Sequence, residues 1–450
     1  MQEATLIQIL DNRENRAVRQ AQLRSSFRTA VVSFTMNIAG PVKVTPLIER
    51  GFREGLRQLG ASLPENAVLC REEKVEITGC EALLAVAMDA AQLKDICITI
   101  EEASPLGRLF DLDVIDAQGR KLSRSKERCC LICGMPGKGC AARRLHSVEV
   151  LQEKTWQILS QHFAAADAGK IGQAAWESLI EEVSATPKPG LVDRRNSGSH
   201  RDMTLSTFLA SAQALAPFFE KCVQIGLETA ECSPEVTFSG LREAGIAAQE
   251  DMLRATGGVN THKGIIYSLG TICGAWGRLR QADGKAVSLE QLFELCAELA
   301  GPAAAEDFAA GAADTAGMRW FLEKGITGIR GEVARGFPSL REIALPKFVF
   351  ARDHGLSREE SGIYALLHLI AVLEDTTLLH RGGVEGARWA KEAAARLLDQ
   401  SVFPEMKDLE ELDSQFIARN LSPGGAADLL AVTFFLTTLM DLDLLQMGMA

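Results

Sequence analysis

The sequence predicts a chain in two parts, a mixed α/β domain over residues 1–165 and a larger all-α domain over residues 170–450. Three observations carry this expectation. A length of 450 residues exceeds what one hydrophobic core usually supports, so more than one domain is expected. Up to residue 165, short apolar runs such as AVVSF at 30–34 and ICITI at 96–100 alternate with helix-like charged stretches at 5–23 and 45–59. Beyond it, apolar residues recur at helical spacing in Ala- and Leu-rich segments, among them 289–299, 361–373 and 429–445. Between the parts, QHFAAADAGK at 161–170 is small, polar and Gly-terminated, which predicts a hinge leading into a new helix at 171–183.

Charge and cysteine usage narrow the functional classes. A net charge of -11 argues against bulk affinity for nucleic acid or membrane surfaces, so an anionic ligand must be held by a local cluster of Lys and Arg. Eleven cysteines, an odd number, follow a start, MQEATLIQILDNRENR, without an apolar signal-peptide core. A reduced, cytoplasmic chain is expected. The longest apolar stretch, 428–440, is too short to cross a bilayer and contains Thr and Asp, so no membrane span is expected.

In the first domain, GRLFDLDV at 107–114 reads as a strand carrying Asp111 and Asp113 one residue apart. Alternate strand side chains share a face, so both carboxylates can reach one hard cation that grips a triphosphate. Downstream lies a basic run: Arg120, Lys121, Arg124, Lys126, Arg128, Lys138, Arg143 and Arg144. Such a cluster in an acidic chain suits a metal-bound phosphate, neutralised from both sides; a solvated loop beside a surface turn has the same composition. Near the N-terminus, SFTMNIAGPVK at 33–43 breaks at Gly-Pro and presents Lys43, as a phosphate-facing loop would. Cys130, Cys133, Cys140 and His146 could close a tetrahedral zinc site, or be reduced thiols beside a phosphate-binding loop with His146 as a polar contact to substrate. Cys129 leaves the cysteine count ambiguous.

Together, GRLFDLDV, SRSKERCCLICG at 123–134 and RRLH at 143–146 resemble the apo-citrate lyase phosphoribosyl-dephospho-CoA transferases. The resemblance spans residues 1–165 and implies a nucleotidyltransferase-like fold. It also implies transfer of a phosphoribosyl-dephospho-CoA group from its triphosphate precursor to a serine of the citrate lyase acyl carrier protein (gamma subunit), with release of pyrophosphate. Carried onto this sequence, it puts Gly107, Arg108, Asp111 and Asp113 at the transfer centre, with Asn37, Pro41 and Lys43 in the N-terminal loop. Magnesium is expected on Asp111 and Asp113, with Arg108, Arg124 and Arg128 neutralising charge.

In the second domain, TPKPGLVDRRNSGSHRDM at 186–203 cannot be a simple helix, because Pro187 and Pro189 break it; an exposed, shaped loop is expected, offering Lys188, Asp193, Asn196, His200 and Asp202. Glu250 lies on a helix leading to TGGVNTHKG at 256–264, where Asn260, His262 and Lys263 can grip phosphate or donate a proton. EDTTLLHRGG at 374–383 supplies Glu374, Asp375 and Arg381, and NLSPGGAADLLA at 420–431 supplies Gly424 and Asp428. With GIRGEVARGFP at 328–338, which adds Arg330, these segments in order resemble the triphosphoribosyl-dephospho-CoA synthases over residues 170–450. That family joins the ribose triphosphate of ATP to the 2′-hydroxyl of dephospho-CoA and expels adenine. The expected roles are His262 as adenine-side acid, Asp193 or Glu250 as base or oxocarbenium stabiliser, and Asp202, Glu374 and Asp375 as magnesium ligands. Lys188, His200, Asn260, Lys263, Arg330, Arg381 and Gly424 are expected to hold nucleotide.

The expected function is therefore a fused enzyme that makes and then attaches the citrate lyase prosthetic group, using ATP, dephospho-CoA and magnesium. The same chemistry could serve the carrier protein of malonate decarboxylase. A reading from another class is a zinc-stabilised helical interaction scaffold.

Overall fold

In the computed structural model, which describes residues 2–125, 127–310 and 316–447, the chain divides into two compact units. One comprises Met1–Ala165 with Ala282–Gly284, the other Ala166–Gln281 with Lys285–Ala450. The first is built from α1 (Leu6–Phe27), β1 (Ala30–Met36), α2 (Pro46–Ser62), β2 (Val68–Glu76), β3 (Gly79–Val86), α3 (Ala90–Glu102), β4 (Phe110–Ile115), α4 (Gly137–Arg143) and the beginning of α5 (Val148–Ser184).

The sheet of this α/β unit runs in the order β2-β3-β1-β4 with every neighbouring pair antiparallel. One face, bearing Val32, Phe34, Leu84, Leu112 and Val114, packs with Ile48, Phe52 and Leu56 of α2. Phe34 stacks on Phe52 at 5.0 Å and meets Phe110 edge-on at 5.4 Å between ring centroids. On the other face Val31 and Leu83 pack with Leu23 of α1. That same face carries a polar row: Glu81 stands opposite Thr35, and Thr35 opposite Asp111. Strand β2 is a sheet edge and carries Arg71, Glu72, Glu73 and Lys74, charges that discourage pairing with another chain.

Two sequence expectations are corrected here. Residues 96–100 belong to α3, not to a strand. Asp89 caps that helix through the amides of Ala91 and Gln92, and Leu93, Cys97 and Ile100 bury one stripe at helical spacing, which outweighs the β-branched alternation. Nor is there a hinge at 161–170, because α5 is one helix from Val148 to Ser184. Alanine is the best helix former, and a single interior glycine costs only about 1 kcal/mol, so Gly169 does not interrupt it.

The second unit continues with α6 (Leu205–Glu228), α7 (Pro234–Ala255), α8 (Lys263–Leu279), the two-residue strand β5 (Val287–Ser288), α9 (Leu289–Ala310), α10 (Ala316–Lys324), α11 (Gly328–Ala334), a π-helical turn at Leu340–Ala344, α12 (Leu345–Asp353), α13 (Arg358–Val372), α14 (Thr376–Gln400), α15 (Met406–Ala418), α16 (Gly424–Asp441) and β6 (Leu445–Gln446). Strand β5 pairs with β6 in parallel. Helices α6 and α8 approach backbone to backbone, since side chains at Gly226 or Gly277 would strike the carbonyls of Gly274 or Val223. Helix α16 is long and apolar enough by length and composition to cross a bilayer, but Leu429, Phe434, Phe435 and Leu439 are buried in the core of this unit.

Residues 186–203 are irregular, as Pro187 and Pro189 require, but not an exposed loop: Lys188, Leu191, Val192, Asp193 and Ser199 are buried. Burial is tolerable because two carboxylates absorb the loop's donors. Asp193 accepts the amides of Lys188, Arg195 and Asn196, and Asp413 accepts the amide of Gly190 and the Asn196 side chain.

Phe34→Ala is expected to destabilise the first unit by about 3–5 kcal/mol, the cost of emptying an aromatic site that cannot collapse. Hydrogen exchange of the β1 and β3 amides should accelerate accordingly, while amides of α16 keep their rates.

Candidate functional site

In the first unit, β4 places Leu112 and Val114 in the core and turns Asp111 and Asp113 together onto the opposite face. They open on a cavity of about 1160 Å³ whose wall includes Arg108, Arg124, Arg128 and Arg144. Two α3 residues fix this strand at the residue between the aspartates. Lys94 donates from Nζ to the carbonyl of Leu112 at 2.9 Å, and Glu101 Oε1 accepts the amide of Leu112 at 2.7 Å. Glu101 is only 2% exposed and is bracketed by Arg124 and by Arg128 Nη2, the latter at 2.6 Å. Buried carboxylate and guanidinium groups are tolerable only as such a paired set. Arg128 Nε, also buried, keeps a donor without an acceptor among the described residues.

After β4 the chain turns at 116–120 and comes back beside it, Leu122 donating its amide to the carbonyl of Val114. This return brings Lys121 Nζ to 2.5 Å from Asp113 Oδ2. Confinement in the cavity, and secondly repulsion by Asp113, hold the Asp111 carboxyl above the ordinary carboxylate range, against the pull of Arg128, Lys121 and Lys94. Arg108 donates to the carbonyl of Cys129 from the turn at Gly107–Leu109. Gly107 is needed there, since a side chain would strike the carbonyl of Ile100. Asn37 lines the cavity, whereas Lys43 does not: its ammonium donates to the carbonyl of Ile38 at 2.5 Å. Lys126 and the side chain of Lys138 lie outside the described residues.

Cys130, Cys133, Cys140 and His146 converge beside this cavity, their ligand atoms all within 4.8 Å of one another, and could hold a metal ion. Cys129 is not one of the group.

The second unit has its own cavity of about 1380 Å³. The sequence expectation brings Asn260, Lys263, Arg330, Glu374 and Asp375 to its lining. Reading the sequence missed Asp307, which pairs with Arg330 at 3.0 Å and Arg242 at 3.5 Å, and gave no role to Asp428. Asp428 rises from the second turn of α16 against Gly264, where any side chain would displace it. Burial, with repulsion from Glu182 and Asp375, pushes its carboxyl well above the ordinary range. Lys263 and Lys324 are exposed and make no ion pair among the described residues.

Several expected site residues are used elsewhere. His262 is 3% exposed and does not line the cavity. Thr261 donates to Ser211 Oγ, Ser211 donates to His262 Nδ1 at 2.7 Å, and burial lowers the imidazole to about 3, so it is no ready proton donor. Asp193 is committed to its loop, and Glu250 is exposed away from the cavity. Lys188 is buried against Glu182 at 2.5 Å. His200 accepts from Arg381 at Nδ1 (2.9 Å), which makes Nε2 the donor to Ser422 Oγ (2.9 Å); these residues tie the 186–203 loop to α14 and the start of α16, outside the cavity. Gly424 packs on Thr377. The expected magnesium ligands do not assemble. Asp202 lies outside the cavity near His200 and Glu374 pairs with Lys391. Asp375 accepts the amides of Thr377, Leu378 and Ala426 at 2.8–3.1 Å, capping α14 and α16 together.

Two family models match the chain: apo-citrate lyase phosphoribosyl-dephospho-CoA transferase (CitX) over residues 4–162, and ATP:dephospho-CoA triphosphoribosyl transferase (CitG) over residues 168–446. Protein CitXG of Haemophilus influenzae is 37% identical over 452 residues, covering 95% of this chain and 94% of that protein. The chain belongs to the CitXG family. A second relative, Protein CitXG of Leuconostoc mesenteroides subsp. cremoris, is 34% identical over 464 residues, covering 96% and 97%. The chain is thus a transferase of citrate lyase prosthetic-group biosynthesis, with one cavity in its CitX region and the other in its CitG region.

In the CitX region, Glu101→Gln should cost about 3–5 kcal/mol, because half-buried Arg128 would lose its ion-pair partner and Arg124 would keep only the exposed Glu102. Urea unfolding followed in the first unit checks this, and Glu102→Gln, which alters an exposed carboxylate, should change little.

Proposed function

We propose that the CitG region converts ATP and dephospho-CoA into 2′-(5″-triphosphoribosyl)-3′-dephospho-CoA and adenine, and that the CitX region transfers the phosphoribosyl-dephospho-CoA group to a serine of the citrate lyase acyl carrier protein. The observation that carries this reading is the presence of two separate cavities, each lined by carboxylates and by Arg and Lys side chains. We read the CitX region as nucleotidyltransferase-like, on the strength of paired carboxylates on one strand of a small sheet.

In the first cavity the serine oxygen forms a bond to the α-phosphorus as the bond to pyrophosphate breaks, and the hydroxyl proton passes to solvent. Arg108, Arg124, Arg128 and Arg144 offset the charge that develops on the phosphoryl oxygens and the leaving group. A divalent cation suits Asp111 and Asp113, two hard oxygen donors on one face of β4, and would neutralise the phosphates from the carboxylate side.

In the second cavity the triphosphate is not consumed, so it needs only a grip, which Lys263, Lys324 and Arg330 supply. Asp428, whose carboxyl burial pushes well above the ordinary range, is suited to donate a proton to the departing adenine as the 2′-hydroxyl oxygen of dephospho-CoA bonds to the anomeric carbon and gives its own proton to solvent. It takes the role expected of His262. The carboxylates expected to hold magnesium here do not suit one, and no step is assigned to a metal in this cavity.

Asp111→Asn is expected to abolish carrier modification and leave adenine release intact. Asp428→Asn should stop adenine release, yet still modify carrier when the precursor is supplied. High-performance liquid chromatography of adenine and intact mass of the carrier read the two steps. Offering the apo-carriers of citrate lyase and malonate decarboxylase side by side tests the partner, with mass gain expected on the former. Loss of both activities in either folded variant would refute the division of labour.

Carrier modification should also rise with pH through an ionisation above the normal carboxylate range, since Asp111 binds a cation only once deprotonated and its pKa is raised. A profile taken at saturating precursor checks the direction.

A further inference from the structure

Residues 127–147 form a part of the first unit with little core of its own. Cys140 is its buried hydrophobic residue among those described, and Leu131 only leans on the main core. Its helix α4 has seven residues, too few to hold itself together in water. Something besides packing must fix its course, and the side chains in its middle offer the means.

The segment opens with a tight turn. Gly134 donates its amide to the carbonyl of Cys130 at 3.2 Å, Cys130 donates its own to Met135 at 2.7 Å, and Gly134 takes a positive φ of 71°. Within the turn, the amide of Ile132 points at Cys130 Sγ from 3.4 Å. Helix α4 then presents Cys140, and the loop before α5 presents His146. Cys133 Sγ lies 3.3 Å from Cys140 Sγ and 3.3 Å from His146 Nε2, and Cys140 Sγ lies 3.9 Å from that nitrogen. A disulfide would need about 2.05 Å. Ligands at zinc's usual bond lengths of about 2.3 Å to sulfur and about 2.0 Å to nitrogen stand about 3.8 Å apart sulfur to sulfur and about 3.5 Å sulfur to nitrogen at the corners of a tetrahedron. The spacings here are far longer than a disulfide, and with all four ligand atoms within 4.8 Å of one another, shifts of a few tenths of an ångström to about 1 Å bring them to the corners of a zinc tetrahedron.

We infer that Cys130, Cys133, Cys140 and His146 bind one zinc ion in a closed, structural site, and that this ion holds the arginine-bearing wall of the CitX cavity in place. Four protein ligands leave no open position for substrate or water, which excludes a catalytic zinc. Binding exchanges three thiol protons for the metal: three S–H bonds break, three S–Zn bonds and one N–Zn bond form, and three protons go to solvent. The resulting centre carries a single negative charge, so it adds little repulsion toward a phosphate. The wall is tied directly to the site. Arg128 and Cys129 precede the first ligand, Arg108 donates to the carbonyl of Cys129, the amide of Gly137 donates to the carbonyl of Arg128 at 2.9 Å, and Arg144 stands between the last two ligands.

Metal binding stands apart from the reaction assigned to the cavity, whereas the organising role rests on it, so the experiment has separate readouts. The full chain, produced with zinc in the medium and purified without chelator, is expected to contain one zinc per chain by plasma mass spectrometry. Titration with a mercurial reagent should release that zinc as three thiols are consumed, detected with a metallochromic dye. Replacement by cobalt should give the thiolate charge-transfer band and the intense visible bands of a tetrahedral site. Cys133→Ser and His146→Ala should lose the metal, while Cys129→Ser keeps it. In the wild-type chain, stripping the zinc should abolish carrier modification without altering adenine release, and returning zinc should restore it.

A chain that neither carries zinc nor takes up added zinc overturns the inference whatever its activity, as does retention of zinc in both ligand variants. Metal-free chain that modifies carrier at the full rate overturns the organising role. If zinc is bound as described but the loaded chain modifies no carrier, the reaction assigned to the cavity fails and the metal site stands.

Discussion

A carboxylate taken out of water must be surrounded by donors, and this constraint arranges both cavities. In the CitX region the group is Glu101, which spends one oxygen partly on the amide of Leu112 and uses the pair to draw in Arg124 and Arg128. The strand that carries Asp111 and Asp113 is thereby locked at its midpoint, and the basic wall is set opposite it. In the CitG region the group is Asp375, whose oxygens are saturated by amides at the starts of α14 and α16. Asp428, three residues past Gly425, is pushed well above the ordinary carboxylate range by burial first, then by Glu182 and by Asp375.

Much of this organisation was legible in the sequence, because periodicity reports burial. The two-part division, the helical second half and the shared face of Asp111 and Asp113 all follow from spacing, and the structure has each of them. Residues 96–100 misled because β-branched side chains suit a strand locally, while the helix is decided by the wider stripe from Leu93 to Ile100. The same stripe contained a readable clue. Lys94 and Glu101 recur at helical spacing beside apolar residues, so charged groups on an inward face announced partners to be found.

The site in the second unit was less legible. Polar residues in loops look alike whether they bind a ligand or satisfy the backbone, and only the fold separates them. Asp193, Asp375, His200 and Arg381 turned out to serve the chain's own amides, carbonyls and hydroxyls. Asp307 was overlooked because it sits in an Ala-rich helix with no motif around it, and its value depends on Arg242 and Arg330, far away in sequence. Asp428 looked like one more helix-start acid. Its distinction comes from Gly264, which lets the α8 backbone close over it.

The double cap made by Asp375 has one more effect. Helix starts are natural anion seats, but here the amides of α14 and α16 are already occupied, so an incoming polyanion is left to the ammonium and guanidinium groups and to the start of α8. Such a grip is sensitive to ionic strength and indifferent to what hangs from the far end of the ribose. Under the proposed chemistry that tail is the same before and after base exchange, so the product leaves as reluctantly as ATP does. Turnover would then be set by how quickly carrier modification in the CitX region draws the product down.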